Sequence, residues 1–237
     1  MSQGLDFEIR DRTNPLPVAD YSRQNATGSW IRNAHGGRQP GSYLHPSIKT
    51  TDPVSRKRGL WRFPAARSRF RQQYPFWAKD AKIGYNTINA RAEDVASKPA
   101  FREALKKRRC LVPADAFYEW QRLDAKSKRP FAFALASGEP YAFAGLWESW
   151  RPKEGAPLET FTILTTDPNQ LMEPIHNRMP VILEPKDYDR WLDPGDPARP
   201  PVDLLRPYAA ERMKAWPVSD RVGNVRNNGP ELLNAST

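Results

Sequence analysis

The feature that most restricts how this chain can fold is a series of short apolar runs between Cys110 and Leu183. Residues 110–112 and 117–120, FAFALA, YAFAGLW, FTILTT and MPVIL are each too short for a helical stripe. Pro, Gly, Asp or Ser interrupts the sequence between them, which is how strands read. No regular helical pattern of crossover length alternates with them, which favours a curved or barrel-like sheet over a parallel one. The expected fold is α+β: a single β-rich domain with a curved or barrel-like, mostly antiparallel sheet and short peripheral helices. FAFALA and YAFAGLW, separated by residues 137–140, read as a hairpin with a four-residue loop.

Helical signals are few and short. PAFREALKKRR, residues 99–109, has Pro99 at a first-turn position, and Phe101, Ala104 and Leu105 make one apolar face. Its basic last turn complements the helix dipole. NQLMEPI, after Asp167 and Pro168, predicts a short helix, and PKDYDRWL a turn or two that directs Trp191 to the core. DPGDPARPP is too rich in proline for regular structure. VDLLRPY reads as a short helical piece and residues 215–218 as a strand.

Residues 1–74 have a different texture. Apart from the alternation of Leu5, Phe7 and Ile9, which predicts one short strand, Pro, Ser, Arg, Asn and Gly separate the apolar residues. Burial there offsets little of the ordering entropy, so low order is expected over most of residues 14–73. The division is therefore a basic segment, 1–74, and a folded domain, 75–237. Lys and Arg number 37 against 27 Asp and Glu, a net charge of +10, and residues 1–80 hold 14 basic against 6 acidic residues. This charge suits a polyanionic partner, or simply a solvated segment. The single cysteine, Cys110, excludes an internal disulfide and a cysteine-cluster metal site. No apolar run approaches the roughly 18 residues of a membrane span. A cytoplasmic monomer without metal, cofactor or membrane contact is expected.

Several polar residues sit beside these apolar runs. Glu119 lies between Tyr118 and Trp120; aromatic surroundings disfavour its charged form and suit it to proton transfer, unless it faces outward from its strand. His35 and His45 fall in the basic segment, which leaves His176 of IHNRMP as the histidine of the folded part. It is either a core group or a reacting one. Asn89 and Arg91 of TINARAED alternate, so a strand places both on one face. There an amide orients an amine and a guanidinium grips a phosphate, while in a turn both are solvent-facing. Phe76 and Trp77 either stack on bases or belong to the core. Cys110 reads as a small hydrophobe opening a strand.

TINARAED, LVPADAFYEW, ILTTDPNQLMEPIHNRMPVIL and VGNVRNNGPEL, in this order, resemble the SOS-response-associated peptidase family, abasic-site-processing proteins that crosslink themselves to damaged single-stranded DNA. The resemblance runs from about Pro75 to Leu232. It implies single-stranded DNA with abasic sites as partner. Asn89 is then the group that positions an N-terminal amine, Arg91 a phosphate contact, Glu119 the proton donor and acceptor, and His176 an active-site residue. Phe76 and Trp77 fall where the family has an aromatic loop near the DNA junction. Arg178, Arg221 and Arg226 are further phosphate-contact candidates. In the family, the initiator methionine is removed, and the amine and thiol of the exposed cysteine form an imine and then a thiazolidine with the ring-opened sugar. Here Ser2 stands at that position. The expected outcomes are DNA binding alone, imine chemistry with strand cleavage, or a start or reading frame displaced from one that opens Met-Cys-Gly. Two competing functions are a thiol peptidase using Cys110, His176 and Glu119, and a nucleic-acid-binding module driven by charge.

Overall fold

The computed structural model describes residues 49–50, 69–70, 73–79, 81–153, 155–193, 195–224, 227 and 229–236. Ser2, the expected strand at Leu5, Phe7 and Ile9, and most of the span expected to be of low order lie outside these residues. Within that span two dipeptides are strands, β1 (Lys49–Thr50) and β2 (Arg69–Phe70), and Gln73 is buried. The chain continues with β3 (Asn89–Arg91), α1 (Arg102–Lys107), β4 (Arg109–Ala114), β5 (Phe117–Arg122), β6 (Lys128–Leu135), β7 (Tyr141–Trp150) and β8 (Leu158–Thr166). It ends with β9 (Met179–Pro180), β10 (Ile182–Leu183), α2 (Tyr188–Leu192) and β11 (Met213–Pro217), linked by short 3-10 turns.

An eight-stranded sheet runs in the order β1-β4-β7-β8-β2, with β10 on β7 and β3 and β9 on β8. It is a curled, mixed half-barrel. β2 and β3 lie parallel to β8, and the other pairings described are antiparallel. A second, antiparallel sheet runs β11-β6-β5. FAFALA and YAFAGLW therefore do not form a hairpin. β6 is paired along one edge with β5 and along the other with β11, which leaves no free edge for β7, and β7 joins the larger sheet between β4 and β8. Residues 137–140 carry the chain from one sheet to the other, with Gly138 at φ +76° in the turn.

Alternation explains why the central strands are apolar on both faces. Leu111, Ala144, Leu146 and Leu164 face a core with Phe101, Ala104 and Leu105 of the α1 segment and Trp191 and Leu192 of α2. Cys110, Val112, Phe143 and Ile163 face a second core, closed by Phe117 and Phe133 of the smaller sheet. Gly145 sits where β7 crosses Cys110: a Cβ there would lie 2.8 Å from the Cys110 Sγ and 2.9 Å from Val112 Cγ2. MPVIL, expected as one strand, is two, because Val181 turns its own N–H to Leu164 O while its carbonyl accepts from Ala144. α1 begins at Arg102 rather than Pro99, after a turn closed by Phe101 N–H on Lys98 O. No helix among the described residues is long and apolar enough to cross a membrane.

The buried Arg109 guanidinium fastens the helices to the sheet. Nε donates to Trp191 O at 2.6 Å, and Nη1 donates to Leu105 O at 2.6 Å and Lys106 O at 3.0 Å. Nη2 donates to Asp193 O, and Trp191 Nε1 donates back to Cys110 O at 2.9 Å. Arg109→Leu strands these carbonyls without donors, at about 1–3 kcal/mol for each left dry. Urea unfolding of Arg109→Leu should show a loss of about 3 kcal/mol or more, and Arg109→Lys, lacking the fork, should recover less than half of it.

Candidate active site

The C-terminal end of β8 is where distant motifs meet. Thr165 is the partner of Arg91 in the parallel β3 ladder and of Pro180 in the antiparallel β9 ladder. A strand has two edges, so TINARAED and IHNRMP flank it from opposite sides. Thr165 O accepts two hydrogen bonds, from Ala92 N–H at 2.8 Å and from Arg178 Nη2 at 2.8 Å. The same guanidinium meets Glu93 with both terminal nitrogens, at 2.7 Å and 2.9 Å, and Asp167 at 2.8 Å. Arg178, expected as a phosphate contact, is thus engaged with two carboxylates and a carbonyl. Its hydrogen bond holds the Glu93 carboxyl below its usual range, outweighing the opposing effect of burial.

Glu119 reaches this end from the smaller sheet. Phe117, Glu119 and Gln121 alternate along β5, and Phe117 packs into the core between the sheets, which places Glu119 on that inner face. The Glu119 side chain is 7% exposed, and its Oε2 lies 3.9 Å from His176 Nε2. His176 Nδ1 lies 3.2 Å from the Arg178 N–H and 2.9 Å from the Arg178 carbonyl. A neutral ring that accepts the Arg178 amide at Nδ1 carries its proton on Nε2, facing Glu119; a protonated ring donates from both nitrogens.

Two side chains set the height of the His176 loop. Gln121 Nε2 donates to Pro174 O at 3.1 Å, so the strand that carries Glu119 also carries the loop. Asn169 Oδ1 accepts from Met172 N–H at 3.0 Å while its Nδ2 donates to Tyr208 O at 2.8 Å. NQLMEPI, expected as a short helix, is a series of tight turns in which Asn169 O and Met172 O each accept two amides. Pro174 has no N–H to extend a helical ladder.

Asn89 opens β3, half-buried, and Arg91 is exposed on the same face, with Ala90 buried between them. Phe76 and Trp77 are 60% and 46% exposed. They stand on a turn closed by Ala78 N–H on Pro75 O and held from below: Trp150 Nε1 donates to Ala78 O at 2.8 Å, and the Glu148 carboxylate accepts the Phe76 amide. Burial pushes the Glu148 carboxyl up, and Arg108, 2.7 Å away, pulls it back. Arg221 is exposed and 3.7 Å from Glu231, and Arg226 lies outside the described residues. Cys110 is wholly buried under Gly145, where no peptide can reach its thiol. Sequence reasoning missed Gln121, Asn169 and the Glu93 partner of Arg178; Gln121 and Glu93 carry no local signal, since their partners lie 53 and 85 residues away, while Asn169 offered one in the Met172 amide three residues on.

A family model described as SOS response associated peptidase (SRAP) matches residues 67–225. The chain is 52% identical over 160 residues to the abasic site processing protein YoqW of Bacillus subtilis, covering 67% of this chain and 71% of that one. It is 34% identical over 184 residues to the abasic site processing protein HMCES of Gallus gallus, covering 67% and 54%. A crystal structure of a protein from Bacteroides thetaiotaomicron superposes with a TM-score of 0.65 at 31% identity, covering 70% of this chain and 75% of that one.

The Arg178 clamp makes a pH prediction. A carboxylate whose folded pKa is depressed contributes stability that is present above its ordinary value of 4.5 and is lost as pH falls through the lower folded value. Wild type should therefore exceed Glu93→Gln in stability at neutral pH, modestly because the site is half exposed, and the two should converge well below pH 4.5 in thermal melts.

Proposed function

The chain belongs to the SOS response associated peptidase family, and on that premise we propose that it binds single-stranded DNA and reacts with the open aldehyde of an abasic sugar. The observation that carries this reading is the Glu119 and His176 pair, a buried carboxyl 3.9 Å from an imidazole whose loop Arg178 fastens to Glu93, in the turn after the strand bearing Asn89 and Arg91. An amine adding to the aldehyde gives a carbinolamine, and loss of water from it gives an imine. The amine must lose a proton and the departing oxygen must gain one. A carboxyl that gives a proton and takes one back serves both steps, and a neighbouring imidazole passes it on. In this reading Asn89 orients the amine, and Arg91 holds a phosphate. Phe76 and Trp77 stack on unpaired bases, at about 1–3 kcal/mol per base.

The attacking amine is the α-amine of the processed chain, which has a useful neutral fraction at physiological pH. What stands beside it decides the product. A hydroxyl leaves the imine, open to reversal or to elimination and strand cleavage, whereas a thiol closes it to a thiazolidine.

Intact-mass measurement after incubation with an abasic oligonucleotide tests this. The expected result is a species at the sum of protein and DNA less one water. Borohydride adds two hydrogens to an imine and none to a thiazolidine, so the same spectra identify the adduct. Glu119→Gln should slow adduct formation by about 10²–10⁴ while leaving binding to an unreactive tetrahydrofuran abasic analogue unchanged. No adduct with the wild-type chain, or a full rate in Glu119→Gln, would sink the proposal.

A further inference from the structure

Glu119 shares its face of the smaller sheet with other side chains. It is paired across the β5–β6 ladder with Phe131, and Gln121 is paired with Arg129. Opposed residues of an antiparallel pair project to one side, so Glu119, Phe131, Gln121 and Arg129 share a face. That face meets His176 at Glu119 and carries its loop at Gln121.

Arg129 is exposed, and among the described residues no carboxylate pairs with it. Its guanidinium lies over the Phe131 ring, 5.7 Å from the centroid. Because Phe131 is the residue opposite Glu119, this contact holds the cation back along β6, toward Glu119 and away from the hairpin tip. Two residues along a strand span about 7 Å, the scale of one nucleotide step. Arg178, by contrast, spends both terminal nitrogens on Glu93, Asp167 and Thr165.

We propose that Arg129 binds the DNA phosphate next to the abasic sugar on the β6 side, while Arg91 takes a phosphate on the β3 side. The strand is then drawn across Glu119 and His176 between two cations. This rests on the reading of Glu119 and His176 given above. A guanidinium suits the task because it stays charged and its fork meets two phosphate oxygens at once.

Salt-dependent binding tests it, using a fluorescent single-stranded oligonucleotide that carries the tetrahydrofuran analogue and the same oligonucleotide undamaged. Each phosphate contact contributes about 0.7 to the slope of log affinity against log salt on single strands. Arg129→Gln should reduce the slope by about that amount and weaken binding several-fold at moderate salt, and Arg129→Lys should keep the slope. Lys126→Gln, which removes a charge from the tip of the same hairpin, should leave the slope unchanged. An unchanged slope in Arg129→Gln, or an equal fall in Lys126→Gln, overturns the proposal. The analogue cannot react, so an Arg129-dependent slope without any adduct on the reactive sugar removes the covalent reading and leaves the phosphate contact. No wild-type binding to either oligonucleotide removes both.

Discussion

Thr165 has a neighbour on each edge, Arg91 from a parallel strand and Pro180 from an antiparallel one, and the arrangement of polar groups follows from that double pairing. A main-chain ladder fixes register to the residue, and slipping by one would turn each side chain to the opposite face. The two motifs on either side of β8 are thereby set with less freedom than any side-chain contact would allow. Arg178 adds a side-chain fastening to the backbone one, bonding the Thr165 carbonyl, the turn after β3 and the loop after β8.

The stiffness of that register comes from the cores above and below it. β4, β7 and β8 are apolar on both faces, with helices over one and the smaller sheet over the other, so no strand of the centre can shift without opening one core or the other. The buried Arg109 guanidinium sits where backbone acceptors gather. Glu119 lies on the inner face of the smaller sheet, buried but 3.9 Å from the half-exposed His176 ring. That position permits a carboxyl to be both shielded and within reach of an imidazole.

Strands β4 to β8 were legible because each contains a short apolar run, and the helices because α1 and α2 present a narrow apolar stripe, whereas the dipeptide strands β1 and β2 carry no such run. Which strands pair was not legible. FAFALA and YAFAGLW look like two halves of a hairpin because apolar alternation reports burial and says nothing of which edge is free. Similarly, NQLMEPI has the composition of a helix, yet the Asn169 side chain takes the Met172 amide and Pro174 supplies none. For the polar groups, TINARAED and IHNRMP stood out as motifs, but a cation read from sequence carries no sign of its partner. The Glu93 fork on Arg178 depends on chain 85 residues away, and so does the distinction between a clamp and a free ligand-binding arginine. Arg129 reads as one more charge in a basic hairpin until the ladder puts it on the Glu119 face.

The turn at Pro75 is held entirely through main-chain atoms: Trp150 bonds the Ala78 carbonyl and Glu148 takes the Phe76 amide. The two aromatic rings themselves stand outside the core, Phe76 60% and Trp77 46% exposed. Evolution can therefore exchange either ring for a smaller, larger or polar group at little cost to the fold, and retune what the turn touches while the Glu119 and His176 end of the molecule stays as it is.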